Sequence, residues 1–197
     1  SAGGSLTAGT ITTAANGNIG LTTGTTMTVG SAVTAGGSGT VTLIANGATS
    51  DILANTNVAS TSGAIIATAG RNVTLNAGNI TTAGNVTLTG TAGTVSEAGA
   101  GKISGTLLTT SSVGGTTLNA ANTVSSFNAT NTTSGNVLLN DAGGVDITGI
   151  SNAVGNVTLT NTGAITDSGA ISAVLLTTSS VGGTTLNGAN MVGSFSA

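Results

Sequence analysis

The stretch LLTTSSVGGTTLN, residues 107–119, returns letter for letter at residues 175–187, an offset of 68. The match continues past the identical block. Ala121 and Asn122 answer to Ala189 and Asn190, Val124 to Val192, Ser126 to Ser194, and the only two phenylalanines, Phe127 and Phe195, keep the same spacing. Upstream, GNVTLT at residues 84–89 recurs at 155–160 and Glu97 answers to Asp167, so the offset slips from 71 to 70 to 68 while the apolar positions stay aligned. Insertions confined to Gly/Ala/Ser stretches mark stacked units, because each unit needs its neighbour's apolar face and its turns are free to vary. The long repeat copies span about 84–127 and 155–195. No linker or shift of composition divides the chain, which reads as one segment over 1–197.

Triplets of apolar, Thr, apolar set the local structure. Val41-Thr42-Leu43, Val73-Thr74-Leu75, Val86-Thr87-Leu88 and Val157-Thr158-Leu159 put their outer side chains on one face of a strand and the middle one on the other. Each triplet is bounded by Gly, Asn or Ser, as in AGRN, TAGN, TSGN and AVGN, which supply tight corners. Helical spacing with caps occurs nowhere. An antiparallel sandwich needs large inward residues to fill about 10 Å between its sheets. Aromatics are 1% of this chain. A solenoid has a narrower interior that Val, Ile, Leu, Ala and Thr can fill by stacking on their own kind. The pattern therefore predicts an all-β fold, a right-handed parallel β-helix of about nine or ten coils, rising roughly 4.8 Å per coil to a rod of about 45 Å. Its expected core is Val86, Leu88, Ile103, Leu118 and Phe127 in the first copy, and Val157, Leu159, Ile171, Leu186 and Phe195 in the second. Asn72, Asn85, Asn136 and Asn156 each precede a Val and are expected to form an amide ladder at one corner.

Composition excludes several functions. Net charge is −3, and Arg71 and Lys102 are the only cations, too few to neutralise a phosphate backbone, so no nucleic-acid partner is expected. No run of apolar residues is long enough to span a bilayer and no basic amphipathic face exists, so no membrane insertion is expected. With 33 Gly but no Pro and no three-residue period, a collagen helix is out. The chain lacks Cys, which suits a protein exported unfolded. It opens at Ser1 without Met or signal peptide and is expected to be a mature or excised piece of something longer.

Chemistry-bearing residues are few. The acids are Asp51, Glu97, Asp141, Asp146 and Asp167, with no His or Tyr and a single Lys as partners for acid–base work, so no catalysis and no cofactor are expected. Asp141 and Asp146 flank a Gly-Gly corner and are the one weak candidate for a metal, calcium held with backbone carbonyls. The plainer reading is that acids at turns cap backbone N–H groups. Glycine clusters at 36–39 and 114–115 lack the following helix of a phosphate loop and read as corners. Asn-x-Thr sequons at Asn72, Asn85, Asn128, Asn131 and Asn156 largely coincide with strand openings. Phe127 and Phe195 either fill one recurring wide spot or protrude as contacts. Outward Thr either forms a regular array that orders water or stacks on carbohydrate, or simply serves strand formation and solubility. The array requires one face with Thr in strict register.

The string GNVTLTNTGAITDSGAI at residues 155–171, followed by LLTTSSVGGTTLNGANMVGSF, resembles the repeats of bacterial haemagglutination-activity and filamentous-haemagglutinin-like exoproteins, secreted by two-partner systems or as autotransporter passengers. The resemblance is good over residues 72–197 and one of style before that. It implies a right-handed parallel β-helix, export to the cell surface or medium, and an adhesive or matrix role. The family's N-terminal secretion domain is not among these residues, so export by that route rests on the resemblance alone. The expected function is thus a non-catalytic secreted rod of a bacterial adhesin or biofilm matrix fibre, meeting host or neighbouring-cell surface glycans and proteins. Two alternatives stand beside it: a filament subunit stacking end to end through terminal coils near Ser1 and Ala197, and a Thr-array binder of ice or glycan.

Overall fold

In the computed structural model, which describes residues 4–197, twenty-two strands wind through nine coils, and no helix occurs among the described residues. The coils open at Leu6, Met27, Ile52, Val73, Val95, Thr116, Val137, Val157 and Leu176, and Phe195 begins a tenth. Each strand pairs in parallel with its counterpart one coil away, as a chain rising by one strand spacing per turn must. The fold is the parallel β-solenoid that the triplets and the repeat predict.

Three faces enclose the lumen. The first carries the strands that open each coil, from Leu6–Ala8 through Met27–Val29, Ile52–Ala54, Val73–Leu75 and Val95–Glu97 to Val137–Asp141 and Val157–Asn161. On the second lie Ile11–Ala15, Val33–Gly36, Val58–Ser60 and Ile80–Thr81, and on the third Ile19–Thr23, Val41–Ala45, Ile65–Ala69 and Val86–Gly90. From Ile103–Ser112 onward, strands run unbroken through a corner; Thr116–Asn131 has 16 residues.

Strand alternation does the sorting. In Val73–Leu75 the outer two side chains are buried and Thr74 is half-exposed, and the same pattern holds in Met27–Val29 and Val41–Ala45. Identical inward positions then stack. Val41, Ile65, Val86, Leu108, Phe127 and Ile147 make one column, each buried by the coil on either side. Burying one such side chain is worth about 1.5–3 kcal/mol, so the rod draws its stability from many modest, repeated contributions. Corners are tight because glycines pile on one another: a Cβ at Gly135 would run into the Gly114 carbonyl, one at Gly155 into that of Gly135, and Gly135 also has a φ of +87°.

Eight of the ten expected core residues are buried: Val86, Leu88, Ile103, Leu118, Phe127, Val157, Leu159 and Ile171. The other two need correcting. Leu186 is only partly buried and Phe195 is 52% exposed. Phe195 sits in register on Leu176, as Phe127 sits on Leu108, but no described coil lies above it.

Candidate functional site

The lumen changes character along the rod. Coils 2 to 4 are lined by Met27, Val29, Leu43, Ile52 and their like with only the hydroxyls of Ser50, Ser60 and Thr82 among them, whereas from coil 5 onward the interior also holds carboxyl and amide groups, those of Glu97, Asn122, Asn131, Asp141, Asn152 and Asn161, beside Thr110, Ser112 and Thr116, all buried. Period-2 alternation puts these groups inside, and each therefore needs a partner.

Asn122 is the hub of the largest group. Its Oδ1 accepts the Ile103 N–H at 2.7 Å, and its amide donates to Glu97 Oε2 at 3.4 Å and to the Ala120 and Asn140 carbonyls at 3.1 Å each. Glu97 Oε2 also accepts the Ala120 N–H at 2.7 Å, while Glu97 Oε1 is buried without a partner. Burial pushes the Glu97 carboxyl up to about 6, and the bonds from Ala120, Asn122 and Asn119 only partly offset that. Asp141 stacks in register on Asn122, wholly buried, and its two oxygens accept the Val124 and Gly143 N–H groups at 2.9 Å each. Its pKa is also raised by burial, against the pull of those two bonds. A second buried ladder runs from Ser112 to Asn131 at 3.4 Å and from Asn131 to Asn152 at 2.9 Å.

The second repeat copy reproduces the acid–amide pair at the surface. Asn190 accepts the Ile171 N–H at 2.7 Å and donates to Asp167 Oδ2 at 2.6 Å, and Asp167 Oδ1 accepts the Asn187 and Gly188 N–H groups at 2.6 and 2.9 Å. Partial burial would raise the Asp167 pKa, but these bonds outweigh it and hold the carboxyl below its ordinary value. Asp51 is likewise lowered, chiefly by the Arg71 guanidinium, which reaches its two oxygens at 2.8 and 2.5 Å.

Asp141 and Asp146 do not form a joint cation site. Asp141 faces the lumen with both oxygens committed to backbone N–H groups, whereas Asp146 lies on the outer surface and accepts from Thr166 at 3.2 Å and Ser168 at 2.6 Å. Among the described residues no group of three or more acidic or metal-binding side chains could hold a metal ion. Four of the acids, Asp51, Glu97, Asp141 and Asp167, cap backbone N–H groups, as acids at turns do.

The expected corner ladder exists in kind but with different members. Asp51 accepts the Asn72 N–H at 3.0 Å and Asn72 accepts the Thr94 N–H at 2.9 Å; further along, Asn136 accepts the Asn156 N–H at 2.9 Å. Asn85 does not belong, because it opens a strand on the third face while the other three precede first-face strands. Asn18, Asn57 and Asn79 do the same work at the other corners, taking the N–H of Thr40, Asn79 and Lys102. The buried amides at 122, 131 and 152 went unread in the sequence. The repeat offset aligning Glu97 with Asp167 and Asn122 with Asn190 was the available signal.

Outward Thr occurs on all three faces, and each row is interrupted. The first-face row reads Thr28, Leu53, Thr74, Ser96, with Leu138 further on; the second reads Thr12, Thr34, Ala59, Thr81; the third reads Thr42, Ile66, Thr87, Thr109. The strict register that sets one face apart is not present among the described residues. Among the hollows on the surface of the described residues are three open ones of about 340, 290 and 310 Å³, and no carboxylate lines any of these three. No helix among the described residues is long and apolar enough to cross a membrane. Searches against protein-family models, curated proteins and solved structures find no match to this chain.

Proposed function

We propose that the chain is a stiff, non-catalytic rod of a secreted bacterial adhesin or extracellular matrix fibre. The observation that carries this reading is the parallel pairing of strands over nine coils, continuous but for register shifts at residues 13–15, 118–122 and 127–128, with polar side chains fixing coil to coil at the corners. Such a body resists bending and holds surface groups at fixed separations, so binding to host or neighbouring-cell glycans and proteins would come from many weak contacts acting together. The acids support it too, since four are spent on backbone N–H groups, Asp146 accepts from the Thr166 and Ser168 hydroxyls, and none lines these three hollows. The test presents the chain singly and at high density on beads against panels of glycans, matrix proteins and cells. Adhesion by the dense beads alone is the expected result. Folded chains that bind nothing at either density would overturn it.

A second reading, end-to-end assembly of this 197-residue chain, is favoured by the upper end of the rod. There Phe195, Val192, Leu186 and Leu176 line the open 340 Å³ hollow, Met191 is 71% exposed, and the upper edge of Met191–Ser196 is unpaired among the described residues. Of the two termini expected to associate, Ser1 lies outside the described residues. Sedimentation across a concentration series separates the readings: growing linear assemblies support stacking, and a constant monomer excludes it while leaving the rod proposal intact.

A further inference from the structure

Three Asn–Gly pairs occur in the chain, at 16–17, 46–47 and 187–188. In such a pair the glycine nitrogen can attack the asparagine Cγ. A C–N bond forms, the C–NH₂ bond breaks, ammonia leaves carrying the proton given up by the peptide N–H, and water then opens the succinimide to aspartate or isoaspartate. The reaction needs an asparagine side chain free to turn and a glycine N–H that can be surrendered. Sequence makes the three pairs equal, but their surroundings differ.

Asn16 is held in place. Its Oδ1 accepts both the Ser38 N–H and the Ser38 hydroxyl at 2.9 Å, its φ is fixed at +64°, and the Gly17 N–H donates to the Ala14 carbonyl at 3.1 Å. At the third pair, the Asn187 and Gly188 N–H groups both donate to Asp167 Oδ1, and a carboxylate bonded to an N–H opposes its deprotonation. Asn46 is different. Its side chain is exposed, its own N–H is held by the Thr23 carbonyl at 3.0 Å, and among the described residues neither its side chain nor the Gly47 N–H has a hydrogen-bond partner.

We propose that Asn46 is a site of spontaneous deamidation, and that the fold selects it over Asn16 and Asn187. The product places a new carboxylate at the rim of the hollow lined by Ile44, Ala48 and Ala92, on a chain whose net charge is already −3. It also acts on a crowded corner. Gly24, Gly47 and Gly70 pile there so closely that a Cβ on Gly47 would meet the Gly24 carbonyl and one on Gly70 would meet that of Gly47. The extra backbone methylene of an isoaspartate has no room in that pile, so the modification would loosen the junctions of coil 2 with coils 1 and 3.

The test incubates the folded chain in mildly alkaline buffer and follows all three sites by peptide mass spectrometry, with a guanidinium-unfolded sample alongside. In the folded chain Asn46 should be lost roughly tenfold or more faster than Asn187, since the latter must first break a charge-assisted hydrogen bond. In the unfolded sample the three rates should converge. Asp167→Ala, which removes the acceptor of both N–H groups, should bring Asn187 up toward Asn46. Loss of Asn16 or Asn187 as fast as Asn46 in the folded wild-type chain would overturn the proposal, as would an intact Asn46 where the unfolded sample reacts.

Discussion

The two copies of LLTTSSVGGTTLN have one sequence and two fates. In the first copy Leu118 and Thr116 are wholly buried and Phe127, which follows it, is 0% exposed; in the second, Leu186 and Thr184 are half-buried and Phe195 is 52% exposed. Val181 is 86% exposed, while its twin Val113 is half-covered, with Ser134 bonded to its carbonyl. The acids diverge in the same way: Glu97 is driven up by burial, while Asp167 is held down by its hydrogen bonds. Register is thus shared by the two copies, but the strand is continuous only in the first, where Thr116–Asn131 runs unbroken while the second has separate Thr184–Leu186 and Met191–Ser196, and the burial of residues 116–127 is conferred by the coil above, residues 137–152.

The largest test of that contrast is the phenylalanine pair. Phe127→Ala should cost about 3–5 kcal/mol, because it empties a closed site between Leu108 and Ile147. Phe195→Ala should cost under about 1 kcal/mol. Urea midpoints with unchanged slopes would read both, and equal losses would break the comparison.

Next come the amide hubs. Asn122→Ala leaves the Ile103 N–H and the Asn140 carbonyl unsatisfied inside the rod and should cost roughly 2–3 kcal/mol; Asn190→Ala, near solvent, should cost about 1 kcal/mol or less. Thermal melts of the two variants decide it.

A smaller effect is set by pH. The folded chain holds the Glu97 proton up to about pH 6, and the unfolded chain releases it near the ordinary 4.5, so the folded state binds more protons between these values. Stability therefore rises as pH falls from 7 toward 4.5, by roughly 1–2 kcal/mol, and Asp141 acts in the same direction. Below the ordinary aspartate value of 3.8 the trend reverses, as Asp51 and Asp167 lose carboxylates that the fold prefers charged. Glu97→Gln should flatten the rise between pH 7 and 4.5. An unchanged profile in that variant would show that the buried carboxyl is not its source. The smallest change expected is from Arg71→Ala, which removes an exposed ion pair to Asp51 and should shift the melting temperature slightly, and less so in high salt.

Much of this fold is legible in the sequence because a solenoid is written locally. A triplet such as Val73-Thr74-Leu75 states its own inward and outward positions, and an offset of 68 announces that units stack. What stays hidden depends on which coil lies over which. Asn72 and Asn85 both precede Val-Thr-Leu, yet only register shows that one stands at a first-face corner and the other at a third-face corner. Likewise Asn122, Asn131 and Asn152 look like turn residues until alternation through unbroken strands turns them inward. Phe195 shows the reverse limit: its register on Leu176 matches that of Phe127 on Leu108, but its burial is not its own to specify.

The most direct measurement is native-state hydrogen exchange on the two repeat copies, using peptides extended into the differing flanks Gly105-Thr106 and Ala173-Val174 to tell them apart. Amides of residues 116–127 should be protected far more strongly than those of 184–195, despite the shared sequence, whereas 107–109 and 175–177, each with a strand above, should differ little. Equal protection of the two copies would contradict the claim that the coil above, and not the repeat itself, confers burial.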